Sequence, residues 1–116
     1  MAITITDHPK RVRVRYNGKT VAESDHALAL QEGSYARVLY LPRADVDMSL
    51  LERSARTTHC PYKGDANYFS LRVGDRLTAD AVWTYETPLA DVALIAGHLA
   101  FYPDRVDAIE EVDGEA

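Results

Sequence analysis

The segment Arg11–Tyr16 alternates strictly between a basic and an apolar side chain. A period of two is typical of a β-strand with one buried face, because successive side chains point to opposite sides of the strand. Asn17-Gly18 follows directly and is the dipeptide that best accepts the positive φ angles of a two-residue hairpin turn. We therefore predict a β-hairpin here, with residues 20–24 as its second strand.

The same features recur along the chain and predict a mainly β fold. Further strands are expected at residues 26–31, 35–41, 67–73, 79–86 and 98–102. The sequence around Asn17-Gly18 weakly matches that around Gly74-Asp75, which indicates two related β units packed face to face. We expect a compact two-unit β-sandwich, tent-like or an open barrel, with one short helix near residues 88–96, where Thr87-Pro88 precedes apolar residues at helical spacing.

The predicted domain organisation is simple. Residues 1–116 are expected to form a single domain, compact between about residues 11 and 109. Residues 1–9 are expected to be a loose lead-in. The tail 108–116 carries acids without a base, so we expect it to be frayed.

Composition limits the partners and the compartment. Thirteen Lys and Arg against eighteen Asp and Glu give a net charge of −5, which disfavours nucleic acid as a partner. No apolar run approaches the roughly 20 residues of a membrane span, and the start does not resemble a signal peptide. With a single cysteine, we expect a cytoplasmic protein with no disulfide, no metal site and no cofactor.

The segment Thr57-Thr-His-Cys-Pro-Tyr-Lys-Gly64 separates the two units. A nearby cation stabilises the reactive thiolate of a cysteine, and Lys63 and His59 are close enough to Cys60 in sequence to supply one. The proline and the glycine predict a tight turn whose backbone N–H groups would suit an anion. The alternative is that Cys60 is a packing residue, which is the commoner use of a free cysteine.

A second pattern is Gly33-Ser34 followed, after ten residues, by Asp45 and Asp47. Nucleotidyltransferases of the polymerase-β type hold a triphosphate with a Gly-Ser turn and Mg²⁺ with alternating carboxylates. A magnesium-dependent nucleotidyltransferase is therefore an alternative function. The intervening residues alternate like a strand where that fold needs a helix, so both aspartates are otherwise surface or capping acids.

Aromatic residues are skewed toward tyrosine, with seven Tyr against two Phe and one Trp. A tyrosine joins an apolar ring to a polar tip, which suits the wall between a pocket and water. Five aromatic residues fall on or beside the strands flanking the Cys60 turn: Tyr62, Tyr68, Trp83, Tyr85 and Tyr102. They either line a ligand pocket or fill a small β core.

Three runs resemble a small bacterial family, domain of unknown function 427: Leu41-Pro-Arg-Ala-Asp-Val, Thr58-His-Cys-Pro-Tyr-Lys-Gly-Asp-Ala and Ile95-Ala-Gly-His-Leu-Ala-Phe-Tyr-Pro-Asp-Arg-Val-Asp. The resemblance covers about residues 11–109 and implies a mainly β single domain, sometimes labelled nucleotidyltransferase-like. The positions that match the family pattern are Arg43, Asp45, Cys60, Lys63, Gly64, Tyr68, Trp83, Tyr85 and Tyr102. Gly33-Ser34 and Asp47 depart from that pattern, which counts against the nucleotidyltransferase alternative.

Together, the residues and the resemblance predict a pocket at the Cys60 turn that binds a small anionic or nucleotide-like ligand. Cys60 is the candidate catalytic residue, and the other eight matched positions are candidate ligand contacts. A third alternative is a protein-interaction module or homodimer that uses the basic first strand or an exposed strand edge.

Overall fold

The computed structural model describes residues 2–113, and most of these residues lie in β-strands. The strands β1 to β10 are, in order, Ile3–Asp7, Arg11–Tyr16, Lys19–Ser24, Leu28–Glu32, Val38–Tyr40, Leu51–Cys60, Gly64–Val73, Arg76–Thr84, Leu99–Phe101 and Ala108–Val112. Three 3₁₀ helices accompany them within this range, η1 at Arg43–Asp45, η2 at Met48–Leu50 and η3 at Ala90–Ile95. The predicted mainly β fold is confirmed.

The strands form three antiparallel sheets in residues 2–113, with the orders β1-β4-β5, β10-β2-β3 and β6-β7-β8-β9. A single bridge joins the first sheet to the third, because Leu41 and Leu99 each donate a backbone hydrogen bond to the other at 2.8 Å. The sheets do not close into a barrel over the described strands. The fold is therefore an open arrangement of sheets.

The hairpin predicted from the alternating segment is present. Asn17 and Gly18 have φ angles of 49° and 76°, as the tight turn between β2 and β3 requires. The Asn17 side chain donates a hydrogen bond of 2.9 Å to the Val73 carbonyl, at the end of β7. The Tyr16 hydroxyl lies 2.7 Å from that of Thr78 in β8. These contacts join hairpins β2–β3 and β7–β8, the two that the sequence comparison had paired.

The core consists of two clusters on opposite faces of the third sheet. The first packs β2 and β3 against that sheet, and it contains Val14, Tyr16 and Phe69. The second contains Tyr40, Tyr68, Tyr85 and Ile95 together with other residues of β4, β7, β9 and η3. Strand β7 is buried on both faces, because neighbouring residues Tyr68 and Phe69 point into different clusters.

Strands β1 and β10 correct the prediction of a loose lead-in and a frayed tail. β1 pairs with β4, and β10 pairs with β2. One of the acidic side chains that indicated fraying faces a basic side chain of β2. Glu110 Oε1 lies 3.8 Å from Arg13 Nη1 across the two strands. Residues 114–116 of the predicted tail lie outside the described residues.

The predicted helix near residues 88–96 is present as the 3₁₀ helix η3, with a kink at Val92. Its N-cap is Leu89 rather than Thr87, and no side chain caps it. Val92 and Ile95 are its buried residues, and their spacing of three matches the three residues per turn of a 3₁₀ helix. No helix within residues 2–113 combines the length and the apolar character needed to cross a membrane.

Candidate functional site

A cavity of about 230 Å³ lies beside the second core cluster, and we call it the aromatic cavity. Its walls come from the β4–β5 hairpin, the turn between β6 and β7, strands β7 and β8, and the residues after β8 and β9. Six aromatic residues line it together with one acid and one base: Tyr35, Tyr40, Tyr68, Trp83, Tyr85, Tyr102, Glu32 and Lys63. Five of these eight residues are candidate contacts from the sequence.

Lys63 is fixed by the turn that joins β6 to β7. Its N–H donates to the Cys60 carbonyl at 3.3 Å, and its own carbonyl accepts from the Leu89 N–H at 2.9 Å. Gly64 follows with a φ of +109°, a conformation that L-residues rarely adopt. The predicted tight turn is present, but the Lys63 N–H closes the turn and is not free to hold an anion.

The Lys63 ammonium is paired with a carboxylate inside the aromatic cavity. Lys63 Nζ lies 2.7 Å from Glu32 Oε1, and the two side chains are only 12% and 15% exposed. The same ammonium lies 6.0 Å from the centroid of the Tyr85 ring. The cavity therefore contains a shielded ion pair whose charges cancel.

Sheet register places the aromatic rings. Tyr68 in β7 is directly opposite Trp83 in β8, so the two side chains share a face. The Trp83 indole N–H donates to the Tyr40 hydroxyl at 3.3 Å, and its ring centroid lies 4.5 Å from that of Tyr102. Tyr68 is held by Thr58, whose hydroxyl lies 2.8 Å from the phenol oxygen. The walls are thus cross-linked by hydrogen bonds and ring contacts.

Burial raises the pKa of three phenols of this cavity. It raises the pKa of Tyr40 to about 12, against the opposing effect of the hydrogen bond from Trp83. Burial also raises the pKa of Tyr85 and of Tyr102, and for Tyr102 a hydrogen bond with Tyr68 adds to the rise. At neutral pH these hydroxyls can both donate and accept hydrogen bonds.

Cys60 is the last residue of β6, and it does not line the aromatic cavity. Its half-buried side chain packs against the second core cluster. The two cations expected near the thiol each have a carboxylate partner, Glu32 for Lys63 and Asp65 for His59, at 2.7 Å in both cases. This geometry favours the packing alternative for Cys60.

Arg43 and Asp45 lie outside the aromatic cavity. The Arg43 guanidinium is 5.7 Å from the centroid of the Phe69 ring, on the face of β7 opposite to Tyr68. Asp45 accepts a hydrogen bond of 2.6 Å from the Ser24 hydroxyl. Of the nine matched positions, five therefore line the aromatic cavity, Cys60 and Gly64 flank the turn between β6 and β7, and Arg43 and Asp45 lie elsewhere.

The aspartates of the nucleotidyltransferase pattern have local structural partners. Asp47 accepts a hydrogen bond from the Ser49 N–H at the start of η2. Asp45 and Asp47 both border a shallow depression beside β3, whereas Gly33 and Ser34 follow β4 and do not border it. No group of three or more His, Cys, Asp or Glu side chains in the described chain is arranged to hold a metal ion.

Sequence reasoning missed Glu32, Tyr35 and Tyr40 as residues of this site. Glu32 lies between the strands predicted at residues 26–31 and 35–41, and Tyr40 stands in a Tyr-Leu-Pro run similar to Phe101-Tyr102-Pro103. An acid at the end of a mostly apolar strand was the available signal for Glu32. Neither signal indicates that the hairpin meets the Lys63 turn, because that contact joins residues far apart in sequence.

A family model matches residues 4–112, and its description is domain of unknown function, DUF427. The chain belongs to this family. The match extends beyond residues 11–109, where the sequence resemblance lay, and includes most of β1 and all of β10. A comparison with curated proteins finds no match.

Proposed function

We propose that this DUF427 protein binds a small planar ligand with a negatively charged group in the aromatic cavity. One observation carries the proposal: Lys63, Tyr68, Trp83, Tyr85 and Tyr102, all matched positions, line the same cavity. A concave, mostly apolar site with a few converging polar groups is the usual form of a ligand-binding site.

The volume limits the size of the ligand. A cavity of about 230 Å³ corresponds to the liquid volume of about eight water molecules. One ring with a charged substituent matches this space. A complete nucleoside triphosphate exceeds it, so a nucleotide-like ligand would place only its base or another single ring inside.

The chemistry of the walls indicates how such a ligand would be held. The rings of Trp83 and Tyr102 offer apolar faces for a planar group, and the neutral phenols offer hydrogen bonds. Lys63 is the cation that lines the cavity, and a negative group would share it with Glu32 or displace that carboxylate. Because Cys60 packs behind these walls, binding is the activity that we propose for the site, without a covalent step.

Fluorescence of the single tryptophan tests this proposal, because Trp83 is a wall of the cavity. We expect saturable changes with members of a panel of aromatic carboxylates and nucleoside monophosphates. Lys63→Met should weaken binding about tenfold, as expected for loss of a shielded charged contact. Lys19→Met, which removes an exposed lysine of the β2–β3 hairpin, is the matched control. No saturable change with any panel member would contradict the proposal.

The name of the family model abbreviates nucleotidyltransferase, so the panel includes a nucleoside triphosphate with and without Mg²⁺. We expect no dependence on Mg²⁺, because the carboxylates of Asp45 and Asp47 hold Ser24 and Ser49. Tighter triphosphate binding with Mg²⁺ that is lost in Asp45→Asn would favour the nucleotidyltransferase alternative instead.

A further inference from the structure

We infer that the ligand of the aromatic cavity is a zwitterion, a small α-amino acid with an aromatic or branched apolar side chain. This inference rests on the proposed function and narrows its ligand class. The observation behind it is the shielded Lys63–Glu32 pair, which the sequence did not reveal.

The two opposite charges in the cavity make a singly charged ligand a poorer fit than a zwitterion. Glu32 and Lys63 are the only charged side chains that line the cavity in residues 2–113, so the charges of its lining side chains sum to zero. An anion that takes the ammonium of Lys63 leaves the Glu32 carboxylate without its partner, and a cation that takes Glu32 leaves Lys63 alone. In either case a shielded charge remains uncompensated, which is costly.

A zwitterion avoids that cost. Its carboxylate pairs with Lys63 while its ammonium pairs with Glu32, so one ion pair becomes two and the cavity stays neutral. Unlike a singly charged ligand, it satisfies both residues at once. Lys63 would therefore bind the carboxylate of the ligand, and Glu32 would bind its ammonium.

The aromatic walls suit the ammonium of such a ligand. Cations bind favourably over the faces of Trp and Tyr rings within about 6 Å of the centroid, and the Lys63 ammonium already lies 6.0 Å from the Tyr85 centroid. The raised pKa of Tyr40 and of Tyr85 keeps their phenols uncharged. The remaining ring surface, chiefly Trp83 and Tyr102, would contact the apolar side chain of the ligand.

Three ligands that differ only in charge test the inference by titration calorimetry: phenylalanine, 3-phenylpropionate, which lacks the ammonium, and phenethylamine, which lacks the carboxylate. Leucine, 4-methylpentanoate and 3-methylbutylamine form a second set with a branched side chain. In at least one set we expect the amino acid to bind wild-type protein about tenfold more tightly than either singly charged analogue.

Substitutions at the ion pair then assign each charge. Glu32→Gln should shift the preference toward the carboxylate analogue, and Lys63→Met should shift it toward the amine. The charge swap Glu32→Lys with Lys63→Glu keeps both charges, so it should retain the preference for the amino acid. Lys19→Met controls for a general change of charge, and circular dichroism establishes that each variant is folded.

The outcomes separate this inference from the proposed function. If the carboxylate analogues bind wild-type protein as tightly as the amino acids, the zwitterion inference is wrong while the proposed binding of an anion stands. If neither set binds but the panel of aromatic carboxylates does, the inference is also wrong. If nothing binds in either experiment, both proposals fail. Preferences that are unchanged in both single variants would place the ligand elsewhere and overturn the inference.

Discussion

Replacing Glu32 by Gln tests whether the two charges in the aromatic cavity depend on each other. At a separation of 2.7 Å and an effective dielectric constant of about 20, their attraction is about 6 kcal/mol before desolvation is subtracted. Desolvation of both ions offsets most of this attraction. Removing one partner loses the attraction but keeps the desolvation of the other, which costs about 3–5 kcal/mol for a fully buried pair.

The loss expected here is smaller, because 12% of the Lys63 side chain and 15% of the Glu32 side chain remain exposed. We expect Glu32→Gln and Lys63→Met each to lower the free energy of unfolding by about 2 kcal/mol. The double variant has neither charge, so it should lie within about 1 kcal/mol of wild type. The double-mutant cycle then gives a coupling free energy of at least about 3 kcal/mol.

Urea unfolding followed by far-ultraviolet circular dichroism measures these values. The matched control is the Arg72–Glu52 pair, at 2.6 Å but with both side chains about half exposed. Its cycle should give a coupling below about 1 kcal/mol. Single variants of Glu32 and Lys63 within about 0.5 kcal/mol of wild type, or losses that simply add in the double variant, would refute the reasoning.

Three further predictions concern titration and backbone conformation. A hydrogen bond from Arg76, and secondly one from a backbone N–H, lowers the pKa of Asp107 below its ordinary 3.8. Its contribution is therefore present at neutral pH and lost on acidification through the folded-state pKa. The melting temperature of Asp107→Asn should be lower than wild type at neutral pH and converge with it in acid, whereas Asp104→Asn, at an exposed position, should not change the melting temperature at neutral pH. The raised pKa of Tyr40, about 12, makes stability fall as pH rises from about 10 to 12, and Tyr40→Phe should reduce that fall in thermal unfolding; an unchanged slope would contradict it. Gly64→Ala should lower the free energy of unfolding by about 1–2 kcal/mol in urea, because alanine is strained at φ +109°; an unchanged midpoint would contradict this.

Local patterns were sufficient to predict the parts of the fold that depend on neighbouring residues. The alternation of Arg11–Tyr16 and the turn at Asn17-Gly18 gave β2, its buried face and the start of β3. The turn at Gly74-Asp75, between β7 and β8, could be predicted from its local sequence in the same way. In each case the residues that determine the structure are adjacent in the chain, so the sequence contains the whole signal.

Strands β1 and β10 were not predictable in this way. The acidic run in β10 is typical of a solvated tail, and it forms a strand by pairing with β2, where Glu110 lies beside Arg13. That partner lies at the other end of the chain. Similarly, β1 is a strand because β4 offers it an edge. Pairing between distant segments can override local composition.

The candidate site shows the same division. The aromatic residues of β7 and β8 were predictable as one group, because a hairpin places Tyr68 and Trp83 opposite each other. Glu32 was not, since its contact with Lys63 joins positions separated by 31 residues. Without Glu32 the sequence predicts a free cation at Lys63. The structure shows a neutral ion pair instead.

The alternation of β7 also explains why Arg43 lies apart from the aromatic cavity. Tyr68 points into the aromatic cavity, and its neighbour Phe69 points to the other face, where the Arg43 guanidinium lies over its ring. A motif match alone cannot separate such positions, because residues that support a sheet and residues that line a cavity occur in the same short runs. The side of β7 on which a residue lies can separate them. On this criterion Lys63, Tyr68, Trp83, Tyr85 and Tyr102 are the positions to test for ligand binding, and Arg43 is a position to test for stability.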